Sequence, residues 1–312
     1  MSTDAELIVD RRRLRRKVTL WRIAAVLLGL AAVIALVWTP AGFDRYQDHI
    51  ARVRISGLIT GDQPTLNLID QVAKSKQAKA LILRIDSPGG TTAGSEALYE
   101  ALRKLSAQKP VVAVMDTVAA SGGYITAIAA DHIVAHGNTI TGSIGVIFSF
   151  PEVSGLLDKL GVKMEEIKSG ELKAEPSPYK PVSDKVRAVA SDLVMEGYAW
   201  FTGLVAERRK IPLDRVKVLA DGRVYTGRQA VANKLIDELG GEDQALAWLA
   251  KEKNISADTK VVEWKLSANA DPTGLGFAIA DIVLKAAGFE GLRQQVESAK
   301  LDGLLVLWHP AL

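Results

Sequence analysis

Residues 80–90 read ALILRIDSPGG, and this stretch indicates the fold class. Ala80–Asp86 is almost continuously apolar, which is typical of a strand whose two faces are both buried. We expect Ser87-Pro88-Gly89-Gly90 to end that strand as a glycine-rich loop, because proline and paired glycines interrupt regular structure. A helix over about 92–107 follows, so the segment predicts one strand–loop–helix unit.

The same alternation continues on both sides of this unit. A further turn, helix, strand and turn are predicted within 221–241. Short apolar strands separated by helices predict an α/β domain, over 45–255, with a sheet covered on both faces and no internal repeat. Residues 256–312 form a C-terminal extension. The other predicted strands are 52–56, 111–115, 132–135, 143–148 and 163–167, and the other predicted helices are 64–76, 122–130, 151–160 and 183–209.

Composition excludes several classes of protein. The chain has 312 residues, 48% of them hydrophobic and 24% charged, which excludes disorder, collagen and coiled coil. Its net charge is +3, but residues 1–22 hold a surplus of four cations, which leaves −1 for the rest. A nucleic-acid-binding body would itself be basic, so nucleic acid is not an expected partner. The absence of cysteine excludes disulfides, thiolate zinc sites, iron–sulfur clusters and cysteine nucleophiles.

The N-terminal region predicts a membrane anchor. Every residue of Ile23–Trp38 is apolar or glycine, and with its flanks the segment 23–43 is long enough to span a bilayer. The basic residues 1–22 predict a cytoplasmic N-terminus and an extracytoplasmic body, in a bacterial cell at the inner membrane. A cleaved signal peptide is the alternative, and it is disfavoured because no small-residue cleavage site follows Trp38.

Two apolar stretches lie near the C-terminus. Residues 274–288 are apolar but are interrupted by Asp281 and Lys285, which predicts an amphipathic helix packed on the body or on a neighbouring subunit. Residues 303–308 (GLLVLW) predict a buried or interface strand rather than a membrane contact.

Glycine-rich segments carry the candidate chemistry. Gly89 and Gly90 could expose amide groups to an anion or oxyanion, or could serve only as a turn. Ser121, within Ala119–Tyr124, stands where a strand meets a helix and beside Gly122, which suits an acyl-transfer nucleophile. A serine there more commonly caps the helix, so both interpretations stay open.

A serine nucleophile needs a base, and Lys173 in the proline-stiffened segment 168–179 is one candidate. A lysine can act as a base near neutral pH only if its pKa is depressed; otherwise it is a solvated surface lysine. His132 and His136 leave a Ser-His-Asp triad open, whereas His49 lies next to the predicted membrane segment and His309 lies in the C-terminal tail. The sequence contains no G-x-S-x-G elbow, no metal-binding pattern, no phosphate loop and no dinucleotide fingerprint, so a Ser-Lys dyad leads.

Taken in order, these segments resemble one family. SPGG, AASGGY, TGSIGV (Thr141–Val146), KSGELKAEPSP and DGRVYTGRQA with LIDELGG together resemble the bacterial signal peptide peptidase A family in its short, single-repeat form. The similarity covers about 52–250. It implies a Clp-protease/crotonase-like α/β fold, an N-terminal membrane anchor and a Ser-Lys dyad that cleaves signal peptides left in the membrane, with no cofactor or metal.

The resemblance also assigns roles. It implies Ser121 as nucleophile, Lys173 as general base, Gly90 and Gly122 as oxyanion donors, and Ser143 as a hydroxyl that holds Lys173. One departure is Ala174, where relatives commonly carry aspartate. Family members assemble into rings or domes in which serine and lysine can come from different subunits. The alternatives are a crotonase-like acyl-CoA enzyme and a non-catalytic membrane scaffold.

Overall fold

A computed structural model describes residues 17–24, 27, 44–265 and 304–307. Residues 17–24 are helical, and the rest of the predicted anchor, like the stretch 274–288, lies outside the described residues apart from residue 27. Among the helices that are described, none combines the length and apolar character needed to cross a bilayer.

The described body is a mixed α/β structure built around a largely parallel sheet. Its central order is β6-β10-β2-β3-β4-β8, with β1 beside β2, β9 beside β1, and β5 between β3 and β7. The strands are β1 (His49–Ile59), β2 (Ala78–Thr91), β3 (Val111–Ala120), β4 (His132–Ala135), β5 (Ile140–Gly142), β6 (Ile147–Phe148), β7 (Val224–Thr226), β8 (Glu238–Leu239), β9 (Val261–Glu263) and β10 (Leu304–Leu307).

Helices cover this sheet on both faces. They are α1 (Gln63–Lys74), α2 (Thr92–Ser106), α3 (Gly122–Ile128), α4 (Ser154–Lys159), α5 (Asp184–Arg209), α6 (Leu213–Leu219), α7 (Gly227–Ala232) and α8 (Glu242–Lys253). A 3₁₀ turn, Asp44–Tyr46, precedes β1.

The apolar run in β2 is explained by burial on both faces. Leu81, Leu83 and Ile85 pack into the larger core with residues of α1, α2 and α3. Ala80 and Ile82 point the other way, into a smaller cluster that includes residues of α8. Successive side chains of a strand alternate between faces, so a strand between two cores must be apolar throughout.

Several sequence predictions are wrong in detail. The SPGG segment is not a loop, because β2 continues to Thr91 while Leu58 and Ile59 of β1 pair with Gly89 and Gly90. A single strand over 143–148 is replaced by β5 and β6, which are separated by an irregular segment. The predicted strand 163–167 has no regular structure, since no neighbouring strand pairs with it.

A buried histidine joins the two ends of the body. His49 is fully buried at the start of β1, and its Nε2 accepts a hydrogen bond of 3.0 Å from the indole N–H of Trp264, which follows β9. The imidazole Nδ1 lies 2.8 Å from the Gln47 carbonyl, to which it donates when neutral. Arg45 lies 4.5 Å above the Trp264 ring. Both imidazole nitrogens are therefore satisfied in a single neutral tautomer.

We predict that Trp264→Phe lowers the free energy of unfolding by about 1–3 kcal/mol, because it leaves the buried Nε2 of His49 without a donor. Trp248→Phe is the matched control: that indole stacks on His132 at 4.8 Å, and its N–H has no hydrogen bond to the described residues. Denaturant unfolding of the full chain in detergent measures both. Equal losses for the two variants would contradict the role given to the hydrogen bond.

Candidate active site

Parallel strand pairing brings the candidate residues together. Ser87 of β2 pairs with Ala119 of β3, and Ala120 pairs with Gly142 of β5. The carboxyl ends of these three strands carry Gly89–Gly90, Ser121 and Ser143. The Ser121 amide donates to the Gly142 carbonyl at 2.8 Å, which places Ser143 beside Ser121 along the sheet.

Ser121 has an unusual backbone conformation. It joins β3 to α3 with φ 55° and ψ −115°, and it is 1% exposed. A non-glycine residue in this region is strained by about 1–3 kcal/mol. The Ser121 hydroxyl makes no capping bond and no other hydrogen bond to the described residues. The helix-cap interpretation of Ser121 is therefore wrong.

The SPGG segment is held against β1 with no room for a side chain. A Cβ added at Gly90 would lie 1.9 Å from the Ile59 carbonyl oxygen. The buried hydroxyl of Ser87 donates to the Gly57 carbonyl at 2.6 Å and accepts from the Gly89 amide at 3.1 Å. Because the Gly89 amide donates to the Ser87 hydroxyl, that amide is already occupied within the segment.

The helix that starts after Ser121 is fixed by its own contacts. Gly122 is buried, and a Cβ added at Gly123 would lie 2.6 Å from the Ser87 carbonyl oxygen, so α3 begins directly against the end of β2. The buried Tyr124 hydroxyl donates to the Leu235 carbonyl at 2.8 Å. Burial also raises the pKa of this phenol, so it remains a neutral donor. These contacts hold the Gly122 amide in place beside Ser121.

Ser143 has a second unusual conformation at the same edge. Its φ is 49°, it is 7% exposed, and its amide donates to the Arg223 carbonyl at 2.8 Å. Its hydroxyl makes no hydrogen bond to Lys173 or to any other described residue. The structure thus places Ser143 beside Ser121, and the predicted contact with Lys173 is not present.

Lys173 makes no hydrogen bond to any of these residues. It sits in an exposed turn, with its amide bonded to the Gly170 carbonyl at 3.1 Å, and its side chain is solvent-exposed. Its ammonium group has no hydrogen bond or ion pair with the described residues. The contact that a Ser121–Lys173 dyad requires is therefore not made within the described chain.

The histidine alternatives are not supported by the geometry. His132 pairs with Val112, nine residues before Ser121 on β3, which is about 30 Å at roughly 3.3 Å per residue. Its imidazole Nε2 lies 2.8 Å from a Glu238 carboxylate oxygen, and its ring stacks on Trp248. His136 lines a polar cleft of about 500 Å³ with Arg54, Arg84 and Asp116, and it makes no hydrogen bond to Ser121.

Sequence reasoning missed a group of charged residues around Lys173. Glu175, in the same loop, is paired with Lys168 and Lys180, and Lys168 also binds Glu166. No motif spacing marks these residues, since alternating charges in a loop are usually a solvated surface. Among the described positions, no group of His, Asp and Glu residues is arranged to hold a metal ion.

Comparison with known proteins identifies the family of this chain. Residues 103–256 match the model of peptidase family S49. The chain is 37% identical over 210 residues to a Synechocystis sp. protein named "Putative protease", an alignment covering 67% of this chain and 76% of that relative. It is 38% identical to "Putative signal peptide peptidase SppA" of Enterococcus faecium over 74% of this chain and 65% of the relative. It is 34% identical to "Serine protease SPPA, chloroplastic" of Arabidopsis thaliana over 86% of this chain and 42% of the relative.

We predict that Ser121→Gly is more stable than Ser121→Ala by about 1 kcal/mol, because glycine adopts a positive φ without strain. Both variants lack the hydroxyl, so the comparison isolates the backbone. In the middle of α2 the order should reverse, with Ala101→Gly losing about 1 kcal/mol. Thermal unfolding of the three variants and the parent measures the differences. A Ser121→Gly variant less stable than Ser121→Ala would contradict the strained conformation.

Proposed function

The chain belongs to peptidase family S49 and is a serine peptidase, and we propose that it degrades apolar signal peptides left in the membrane, with Ser121 as nucleophile and Lys173 as general base. The observation that carries this proposal is the uncapped, strained Ser121 at the start of a helix whose Gly123 lies directly against the Ser87 carbonyl. A side chain held in a strained backbone without a structural bond is typical of a catalytic position.

In the proposed mechanism, neutral Lys173 accepts the Ser121 proton as Oγ attacks the scissile carbonyl carbon. The amides of Gly90 and Gly122 donate to the oxyanion of the tetrahedral intermediate. Collapse of the intermediate breaks the C–N bond, and the lysine proton passes to the leaving amine. Water, deprotonated by Lys173, then attacks the acyl-enzyme carbonyl carbon, and the ester C–O bond breaks as the lysine proton passes to Ser121 Oγ.

The C-terminal strand supports an extended peptide as substrate. β10 pairs antiparallel with β2, where Leu305, Val306 and Leu307 lie opposite Thr91, Gly90 and Gly89. On its other side, β10 pairs with β6. The edge beside the proposed oxyanion donor therefore accepts an extended chain by main-chain hydrogen bonds. The sequence of that chain is LLVL, which supports an apolar preference.

The position of Lys173 supports a site shared between copies of the chain. The segment that follows β6 exposes many large apolar side chains, and an apolar surface of this kind is typical of a protein–protein interface. Association through this surface would bring the loop of one copy to Ser121 of another. The exposed apolar residues are Leu156, Leu160, Val162, Met164, Ile167, Leu172, Val189, Leu193 and Met195.

We further propose that the chain is a single-pass protein of the bacterial inner membrane. The apolar segment 23–43 would be the anchor, and the cationic residues 1–22 would stay in the cytoplasm. The peptidase body would then face the extracytoplasmic side, where peptides remaining in the bilayer could reach it. Attachment to the bilayer also fits an apolar substrate.

We predict that Ser121→Ala and Lys173→Ala each lower kcat/KM by at least about a thousandfold, because each removes a group that takes part directly in bond cleavage. The assay uses the full chain in detergent and an internally quenched fluorogenic peptide with an apolar Leu-Leu-Val-Leu segment. Lys163→Ala is the control, since Lys163 is an exposed lysine before the same loop. Parental activity in the Lys173→Ala variant would refute the dyad.

Mixing the two inactive variants tests whether sites are shared. A mixed assembly contains sites that combine an intact Ser121 from the Lys173→Ala chain with an intact Lys173 from the Ser121→Ala chain. We expect the mixture, after subunit exchange, to recover a substantial fraction of parental activity. Mixed assemblies that form, as shown by differently tagged chains, but stay inactive would mean that each site uses one chain alone.

A further inference from the structure

The loop that carries Lys173 is closed by a network of ion pairs. Residues 160–183, between α4 and α5, contain no helix or strand, and most of their side chains are exposed. Lys168 Nζ lies 2.8 Å from Glu166 and 2.9 Å from Glu175, and Ser177 Oγ donates to Glu166 at 3.3 Å. Lys180 also binds Glu175. These contacts join residues 166 and 180 on either side of Lys173.

Glu175 is the centre of this network. Its side chain is only 4% exposed, although it belongs to an otherwise exposed loop. The carboxylate accepts from the Lys168 and Lys180 ammonium groups and from the Ser177 amide at 3.0 Å. The two lysines lower the pKa of Glu175 to about 2. The carboxylate therefore stays charged at neutral pH.

The network also leaves Lys173 without an acidic partner. Glu171 and Glu175 lie two residues before and after Lys173, yet Glu171 pairs with Lys185 of α5 and Glu175 pairs with Lys168 and Lys180. A carboxylate bound to Lys173 would raise the pKa of its amine and keep it protonated. The charged groups of this loop and of the first turn of α5 are Lys163, Glu165, Glu166, Lys168, Glu171, Glu175, Lys180, Asp184 and Lys185.

The backbone conformation next to Lys173 is connected to the same ion-pair network. Ala174 has φ 57°, and the Glu175 amide lies 3.4 Å from the Leu172 carbonyl, so the chain turns sharply between Lys173 and Glu175. Beyond the network, the Pro178 carbonyl accepts from the Val153 amide at 2.8 Å, just before α4. The turn that presents Lys173 is thus fixed to the body through the residues that follow it.

We propose that Glu175, clamped between Lys168 and Lys180, is a positioning residue that fixes the turn presenting Lys173 and keeps the loop's carboxylates away from its amine. This role rests on the proposed function of Lys173 as general base. Glu175 itself touches neither the substrate nor Ser121; it acts through Lys173.

The test compares Glu175→Gln with Glu171→Gln, using the full chain in detergent and the same fluorogenic peptide. Both changes remove one carboxylate two residues from Lys173, but only Glu175 is buried in the network; the Glu171 side chain is 77% exposed. We expect Glu175→Gln to lower kcat about tenfold or more with little change in KM, since a misplaced base slows the chemical step. Glu171→Gln should stay within about twofold of the parent in kcat.

The pH profile separates positioning from a merely structural role. Glu175→Gln leaves Lys168 and Lys180 with one fewer negative charge nearby, so the acidic limb of the kcat/KM profile should move to lower pH. Lys180→Met makes the opposite change in charge and is a milder variant, because Lys168 still binds Glu175. Its acidic limb should move to higher pH. Opposite shifts from these two variants cannot arise from general loss of folding.

The outcomes distinguish the inference from the function on which it rests. If Lys173→Ala is inactive while Glu175→Gln matches the parent in kcat and pH profile, the dyad stands and the positioning role is refuted. If Glu175→Gln only lowers the unfolding temperature, and the acidic limb of the kcat/KM profile is unchanged in both Glu175→Gln and Lys180→Met, the network is structural and the positioning role is again refuted. If Lys173→Ala retains parental activity, the proposed function fails first.

Discussion

The pairing of β2 with β1 and β3 is the interaction on which the site depends. β2 is bonded to β1 along nearly its whole length and to β3 over Leu81–Ser87, with apolar side chains buried on both faces. The last of these pairs joins Ser87 to Ala119, so the register of β2 against β3 brings the Gly89–Gly90 segment and Ser121 to the same end of the sheet. The tight approach of Ile59 to Gly90 adds to this constraint, since any side chain there would separate β1 from β2.

The fold was largely predictable where local pattern and burial agree. The predicted strand 132–135 matches β4, and helix α2 ends one residue before its predicted end, so the alternation of short apolar strands with helices was a sufficient signal here. The loop predicted at Ser87-Pro88-Gly89-Gly90 is wrong for a physical reason. These residues favour turns, but β1 pairs with them and extends the strand. The strand predicted over 163–167 is wrong for the opposite reason: its apolar residues suit a strand, but no neighbouring strand pairs with them and they remain exposed.

The site was predictable only in part. The strand-to-helix junction at Ser121 follows from sequence, whereas excluding a capping role for its hydroxyl required the backbone angles and the missing capping bond. The surroundings of Lys173 could not be predicted, because the Glu175 network is made of charges whose spacing follows no helical or strand period. Nor does any local pattern bring Lys173 to Ser121, and within the described chain no hydrogen bond joins them.

The edge of β2 beside Gly90 also affects the tendency of the chain to aggregate. A peptidase that holds its substrate by strand pairing must keep main-chain donors and acceptors open at that edge, and an open edge pairs with any extended apolar chain, including a second unfolded copy. In this structure β10 occupies that edge, so the chain's own residues 304–307 satisfy the exposed groups. Under the proposed pairing of substrate at this edge, a peptide would have to displace β10 and would bind only if it pairs more strongly than β10 does. Protection of the edge and selection among peptides would then be set by one quantity, the free energy of pairing the three residues Leu305, Val306 and Leu307 with β2.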